Sequence, residues 1–273
     1  SIYWGGGTPT SLEARQLETI LSAIRDNFDF SVLREYTVEA GRPDTITPEK
    51  LDVLKSAGVG RISINPQTFN DSVLAAIGRK HTAQLIAQAY SLARAKGFGN
   101  INMDLIAGLP TDTAESFKNS VDTAIALAPE SITVHTLALK RSSRLVTDEG
   151  GTAAEAEAVR EMVAYANTAL AAAGYKPYYM YRQSKSLGNL ENTGWCKPGF
   201  ECLYNVFMME ECHTVLSVGA GAVTKLKAPD KNHIERIFNF KYPYEYIDRF
   251  NIIADRKKYI DEFYGRGENK CQT

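Results

Sequence analysis

The feature that most constrains this chain is its rhythm. From the first residue to about 173, short runs rich in β-branched and aromatic residues alternate with amphipathic helical stretches, the unit recurring about every 25 to 40 residues. That alternation predicts a parallel sheet or barrel with helices as crossovers. Strands are expected at 1–4, 34–40, 60–65, 99–106 and 131–138.

The helices between them carry start and stop signals. Thr10 and Glu13 read as a capping-box pair ahead of Leu17, Ile20, Leu21, Ile24 and Phe28, which predicts a helix over 11–27. Thr47-Pro48 supplies a cap and a first-turn proline, and Gly58 a stop. Thr82 opens a stripe of Leu85, Ile86, Ala89, Leu92 and Ala93 that Gly97 ends. Asp112 with Glu115 caps the next helix, and Thr152 to Gly174 brackets the longest. Beyond Gly174 the pattern changes to a Tyr-rich stretch, a Gly/Asn/Pro-containing segment, an apolar run over 214–224 and a charged helical tail. The expected division is a barrel over 1–173 and an α+β extension over 174–273.

Composition excludes several classes. The net charge is −1 with Lys and Arg scattered, so no basic stripe for nucleic acid exists. No apolar run approaches the roughly 20 residues that cross a bilayer, and the chain reads as cytoplasmic. The four cysteines, Cys196, Cys202, Cys212 and Cys271, are too few for a disulfide scaffold and read as reduced thiols. The opening Ser-Ile-Tyr-Trp-Gly-Gly-Gly has no initiator methionine and reads as the start of an internal fragment.

In a parallel barrel, functional groups collect at the C-terminal ends of the strands. Strand 1–4 runs into Gly5-Gly6-Gly7-Thr8-Pro9-Thr10, strand 34–40 finishes with Glu39, and Asn65 and Gln67 follow strand 60–65. Asp104 interrupts an apolar strand, and His135 through Lys140 end the last one. Glycines let a backbone approach a ligand closely, although Gly5 to Gly7 equally suit a tight strand-to-helix turn. Glu39 and Asp104 both need partners, because unpaired burial of a carboxylate is expensive. Gln67 and Arg79 are loop residues of a kind that often faces solvent.

Five ordered motifs then point to a family: Trp4-Gly5-Gly6-Gly7-Thr8-Pro9-Thr10, Val38-Glu39-Ala40-Gly41-Arg42-Pro43, Ile62-Ser63-Ile64-Asn65-Pro66-Gln67-Thr68-Phe69, Gly78-Arg79-Lys80-His81-Thr82 and Met103-Asp104-Leu105-Ile106-Ala107-Gly108-Leu109-Pro110. In order and spacing they resemble the oxygen-independent coproporphyrinogen III oxidase-like proteins of the radical S-adenosylmethionine (SAM) superfamily. Tyr179-Met180-Tyr181-Arg182-Gln183, Lys197-Pro198-Gly199-Phe200-Glu201-Cys202 and Gly219-Ala220-Gly221-Ala222 extend the resemblance toward its HemZ-type coproporphyrinogen dehydrogenase branch.

The resemblance implies an α/β fold, a partial (β/α)6 TIM-type barrel here lacking its first strand. It implies SAM bound by Gly6, Gly7 and Thr8 at its methionine end, Glu39 at the ribose, Gln67, Arg79 and Asp104 at its polar groups, and Ala138 flanking the adenine. It implies a [4Fe–4S] cluster, a tetrapyrrole substrate and an electron donor such as flavodoxin or ferredoxin. The expected reaction is oxidative decarboxylation of coproporphyrinogen III to protoporphyrinogen IX in haem biosynthesis. The rivals are a haem-binding chaperone on the same fold, with His135 and His213 as conceivable axial ligands, and a radical SAM enzyme acting on another tetrapyrrole.

The family's C-x3-C-x2-C cluster loop is absent. Cys196, Cys202 and Cys212 are separated by five and nine residues and follow the barrel strands. The expected ligands therefore lie upstream of Ser1, and no metal ligand is expected within the chain.

Overall fold

The computed structural model describes residues 1–138, 153–184 and 186–268. Lys140, Thr152 and Cys271 lie outside the described residues.

Every strand expected from the sequence is present: β1 (Ile2–Trp4), β2 (Tyr36–Glu39), β3 (Arg61–Ser63), β4 (Asn100–Ala107) and β5 (Ser131–Thr136). They pair in sequence order and all in parallel, with Trp4 opposite Val38, Glu39 opposite Ser63, Ser63 opposite Asn102 and Asp104 opposite Thr133. The crossovers contain α1 (Ala14–Asn27), α2 (Pro48–Ser56), α3 (Asp71–Ala76), α4 (Ala83–Ala95) and α5 (Ala114–Leu127). The result is the expected curled α/β half-barrel.

Local signals act largely where the sequence puts them. Thr47 Oγ1 accepts from the Lys50 amide with Pro48 in the first turn, and Thr82 Oγ1 accepts from the Leu85 amide. Two caps move. Pro9–Ser11 forms its own 3-10 turn, so α1 starts later with Glu13 and Gln16 as the capping box, while Thr10 is buried against Thr45. For α5 the cap is Thr113, whose hydroxyl reaches the Ser116 amide; Asp112 instead accepts from the Thr113 amide. The short α3, capped by Asn70, has too little apolar periodicity to announce itself.

The two faces of the sheet differ. Val38, Ile62, Ile101, Met103, Leu105, Ile132 and Val134 point to one side and pack with Leu17, Leu51, Leu54, Phe98 and Phe117 in one core. Each such side chain contributes about 1.5–3 kcal/mol on burial. Alternate positions carry Thr37, Glu39, Arg61, Ser63, Asn102, Asp104, Thr133 and His135. A parallel sheet covered by helices on both sides reads as continuous apolar runs; this one alternates because its concave face is polar.

After α6 (Ala153–Ala172), β6 (Lys176–Tyr181) and β7 (Asn192–Cys196) continue the same sheet, β7 antiparallel to β5 and β6 antiparallel to β7. Gly194 makes this possible, since a Cβ there would stand 1.8 Å from the Tyr179 ring. The compact units run Ser1–Tyr204 and Asn205–Thr273, so residue 173 falls inside the first unit. The second contains the hairpin of β8 (Val223–Lys227) and β9 (Ile234–Phe238) with α8 (Pro243–Asp248), α9 (Phe250–Lys257) and α10 (Tyr259–Glu268). The expected apolar run at 214–224 is mostly irregular before β8. Among the described residues no helix is long and apolar enough to cross a membrane.

Candidate functional site

Gly6, Glu39, Gln67, Asp104 and Ala138 all sit toward the C-terminal ends of the parallel strands, Gly6 just after β1, Gln67 beyond β3 and Ala138 just after β5. The glycine turn serves two ends. Gly6 and Gly7 adopt φ values of 84° and 125°, conformations that L side chains avoid, and a Cβ at either would meet nothing within 4 Å. Gly5 is a packing requirement, because a Cβ there would lie 2.6 Å from Tyr3 Cε1 and 2.7 Å from Glu39 Oε1. Thr8 precedes the 3-10 turn and makes no side-chain capping bond.

Glu39 ends β2 and is half-buried. The Tyr3 hydroxyl donates to its Oε1 at 2.5 Å, and the Gly6 amide faces the same carboxylate. Burial pushes the Glu39 pKa up; the Tyr3 bond, the Gly6 amide and the charge of Arg61 oppose this, Asp104 adds to it, and the net direction is upward. Asp104 behaves oppositely. Burial would raise it, but the His135 ring, the hydrogen bond from Asn102 and the nearby Thr133 hydroxyl prevail and hold it below the usual carboxylate value. Asn102 Nδ2 donates to Asp104 Oδ1 at 2.7 Å, and His135 Nε2 lies 3.7 Å from Oδ2.

Gln67 is buried, not solvent-facing. Its φ of 68° is costly for a non-glycine residue. It is locked against β4 by two backbone bonds, donating to the Asp104 carbonyl and accepting from the Ile106 amide, each at 2.9 Å. Arg79 is in the link between α3 and α4, half-buried near Arg42 and Asp44. Burial and the neighbouring Arg42 charge lower its pKa. Asp44 binds Arg42 at 2.8 Å and lies 3.8 Å from His81 Nδ1. Ala138 bridges to Ser186 through its backbone.

Several lumen residues carry no mark in the sequence beyond period-two alternation. Arg61 is buried with Nη2 on Ser131 Oγ at 3.2 Å and Nε without a partner. Asn102 Nδ2 also donates to Ser63 Oγ, and Thr133 Oγ1 donates to Asn102 Oδ1. From β6, Tyr179 reaches Thr133 and Tyr181 reaches His135 Nδ1 at 3.3 Å. The alternation Asn-Ile-Asn-Met-Asp and Ser-Ile-Thr-Val-His is the signal that finds the β4 and β5 members.

His135 thus has Asp104 at one ring nitrogen and Tyr181 at the other. His213, in the second unit, is exposed and edge-on to Phe207 at 4.2 Å. Cys196 is buried, which pushes its thiol up to about 12. Cys202 donates to Glu35 at 3.4 Å, and Cys212 is exposed. Among the described residues no group of three or more His, Cys, Asp or Glu could hold a metal ion. These thiols do not fit a [4Fe–4S] cluster, whereas the open glycine turn and the Glu39 carboxylate do fit the amino group and hydroxyls of SAM.

Residues 1–124 match the radical SAM superfamily pattern. The chain is 44% identical over 267 residues to the oxygen-independent coproporphyrinogen-III oxidase-like protein HemZ of Bacillus subtilis, covering 97% of this chain and 53% of that protein. It belongs to the radical SAM superfamily. Within it, the chain is 34% identical over 233 residues to the heme chaperone HemW of Lactococcus lactis, covering 81% of this chain and 56% of that one. Coproporphyrinogen III oxidase (HemN) from Escherichia coli has the same fold, with a TM-score of 0.68 at 23% identity, covering 90% of this chain and 56% of that one. The chain therefore spans about half the length of these radical SAM relatives. The family brings SAM and a [4Fe–4S] cluster as its cofactors, and the cluster's cysteine ligands are not among the described residues.

Proposed function

We propose that this chain is the SAM-binding half-barrel of an oxygen-independent coproporphyrinogen III oxidase-like enzyme, a coproporphyrinogen dehydrogenase of haem biosynthesis working in the cytoplasm. Gly6 and Gly7 receive the amino group of SAM, with Thr8 beside them. Glu39 accepts from the ribose hydroxyls. Arg79 balances the SAM carboxylate, Gln67 and Asp104 contact its remaining polar groups, and the Ala138 backbone flanks the adenine. SAM with the reduced cluster supplies hydrogen abstraction, which the chain's own groups do not perform. The chain's tasks are to orient the cofactor, exclude water and hold Glu39 and Asp104 as acceptors.

The observation that carries this reading is Glu39 beside the glycine turn, a carboxylate held by Tyr3 in front of backbone whose positive φ values favour glycine. The tetrapyrrole substrate is inferred from the similarity to HemZ and HemW, and a flavodoxin- or ferredoxin-type donor from the need of a [4Fe–4S] cluster for an electron, not from a pocket.

A haem chaperone is the second reading, favoured by the similarity to HemW. Against His135 as its axial ligand stand the Asp104 and Tyr181 partners of both ring nitrogens. The deciding experiment is anaerobic turnover by the protein in its full natural length with SAM, a reductant and coproporphyrinogen III. Protoporphyrinogen IX and carbon dioxide support the oxidase. Stoichiometric haem binding without turnover supports the chaperone, and conversion of a different tetrapyrrole supports the third reading.

A further inference from the structure

The carboxylate at the end of β2 is held from a distant part of the chain. The Tyr3 ring that donates to Glu39 is stacked on the Tyr204 ring, with centroids 4.0 Å apart and planes 17° apart. Tyr204 is itself fixed by Glu35, the residue just before β2. Glu35 accepts from the Leu203 amide at 2.8 Å, from the Tyr204 amide at 3.4 Å and from the Cys202 thiol at 3.4 Å. The acidic residues at the two ends of β2 thus grip the same tyrosine pair, one through the backbone of residues 203 and 204 and one through a hydroxyl. Gly5 leaves the room in which ring and carboxylate meet.

We propose that Tyr3 and Tyr204 are the positioning residues of the SAM site: Tyr3 fixes the rotation of the Glu39 carboxylate through its hydroxyl, and Tyr204 fixes Tyr3 by stacking. The inference rests on the reading of Glu39 as the ribose acceptor. A glutamate's terminal torsion is broad when free, so a ligand that needs one orientation must order it on binding. Here the ordering is built in beforehand, which is where preorganised sites gain affinity. The hydroxyl is a dependable donor, since burial first and the Glu39 charge second keep Tyr3 protonated far above neutral pH.

The groups that face Glu39 are Tyr3 from β1, the Gly6 amide, Arg61 from β3, Asp104 from β4 and Tyr204 from the start of α7 (Leu203–Glu210). Of these, the Tyr3 bond is the largest influence favouring ionised Glu39. Its loss should move the carboxylate's protonation upward and carry SAM binding with it.

The test is calorimetric titration with SAM, anaerobic and without reductant, at pH 6, 7 and 8, using the protein in its full natural length and its Tyr3→Phe, Tyr204→Phe, Tyr204→Ala and Glu39→Ala variants. Tyr3→Phe should bind about 10-fold more weakly at pH 7, the scale of one hydrogen bond to a charged group, with a larger deficit at pH 6 and a smaller one at pH 8. Tyr204→Phe keeps the stack and should bind within about twofold of the parent, whereas Tyr204→Ala should weaken binding in the direction of Tyr3→Phe. If Tyr204→Ala does not fold, the two phenylalanine variants decide. Tyr3→Phe binding like the parent, or weakened by one constant factor at every pH, overturns the inference while leaving the Glu39 assignment standing. Parent and Glu39→Ala binding equally well overturns the Glu39 assignment itself, and no binding by the parent overturns the proposed function.

Discussion

Gly5→Ala should be the most disruptive one-carbon change in the glycine turn. The added Cβ would stand 2.6 Å from Tyr3 Cε1, 2.7 Å from Glu39 Oε1 and 2.8 Å from Glu39 Cδ. Neither neighbour yields freely: the Tyr3 ring is stacked on Tyr204 and the Glu39 carboxylate is bonded to Tyr3. Overpacking of this kind costs about 1–3 kcal/mol. If Glu39 gives way, a hydrogen bond to a charged acceptor is lost as well, bringing the total toward about 4 kcal/mol. Urea denaturation followed by circular dichroism reads this directly. Glu39→Ala removes one clashing group, so Gly5→Ala should cost about 1 kcal/mol less in that background, a coupling that a double-mutant cycle isolates. A Gly5→Ala variant within about 0.5 kcal/mol of the parent, or additive with Glu39→Ala, would refute the packing argument.

Two further outcomes follow from the same unit. The Glu39 pKa is raised in the fold, chiefly by burial, so its ionisation costs stability above the ordinary carboxylate pKa and the cost disappears as pH falls below that value. Glu39→Gln should therefore be at least as stable as the parent at pH 7, with the advantage gone near pH 4, as thermal melts across that range would reveal; an advantage that grows toward low pH contradicts the sign. Gly194→Ala places a Cβ 1.8 Å from the Tyr179 ring and should destabilise by about 1–3 kcal/mol, with amide exchange rising first in β6 and β7; unchanged protection there refutes it.

What was legible in the sequence was what local chemistry decides. Thr47-Pro48 and Thr82 mark helix starts because a hydroxyl three residues before an amide needs no tertiary partner. The five parallel strands were legible from the same punctuation. Glu39 and Asp104 stood out because each interrupts an apolar strand, and both have internal partners. Other features depend on residues far apart in the chain. Nothing near Tyr3 announces Tyr204, whose position is set by Glu35. Gln67 resembles any polar loop residue until its pairing with Asp104 and Ile106 is seen. Arg61 opens its strand like an ordinary polar edge, yet its parity with Ser63 turns it into the lumen. The antiparallel return of β6 and β7 has no local signature, because Lys-Pro-Tyr-Tyr-Met-Tyr lacks clean alternation.

The central claim is that this half-barrel holds SAM through the Gly6–Glu39 end of its sheet while its own cysteines hold no cluster. The most direct measurement is anaerobic reconstitution with iron and sulfide, followed by reduction with SAM and assay of 5′-deoxyadenosine, for the 273-residue chain and for the protein in its full natural length. The account predicts cluster absorption and 5′-deoxyadenosine in the full-length protein, product lost in Glu39→Ala with the cluster retained, and neither signal in the 273-residue chain. A cluster band in that chain that Cys196, Cys202 and Cys212 substitutions abolish, or undiminished product formation by Glu39→Ala, would contradict it.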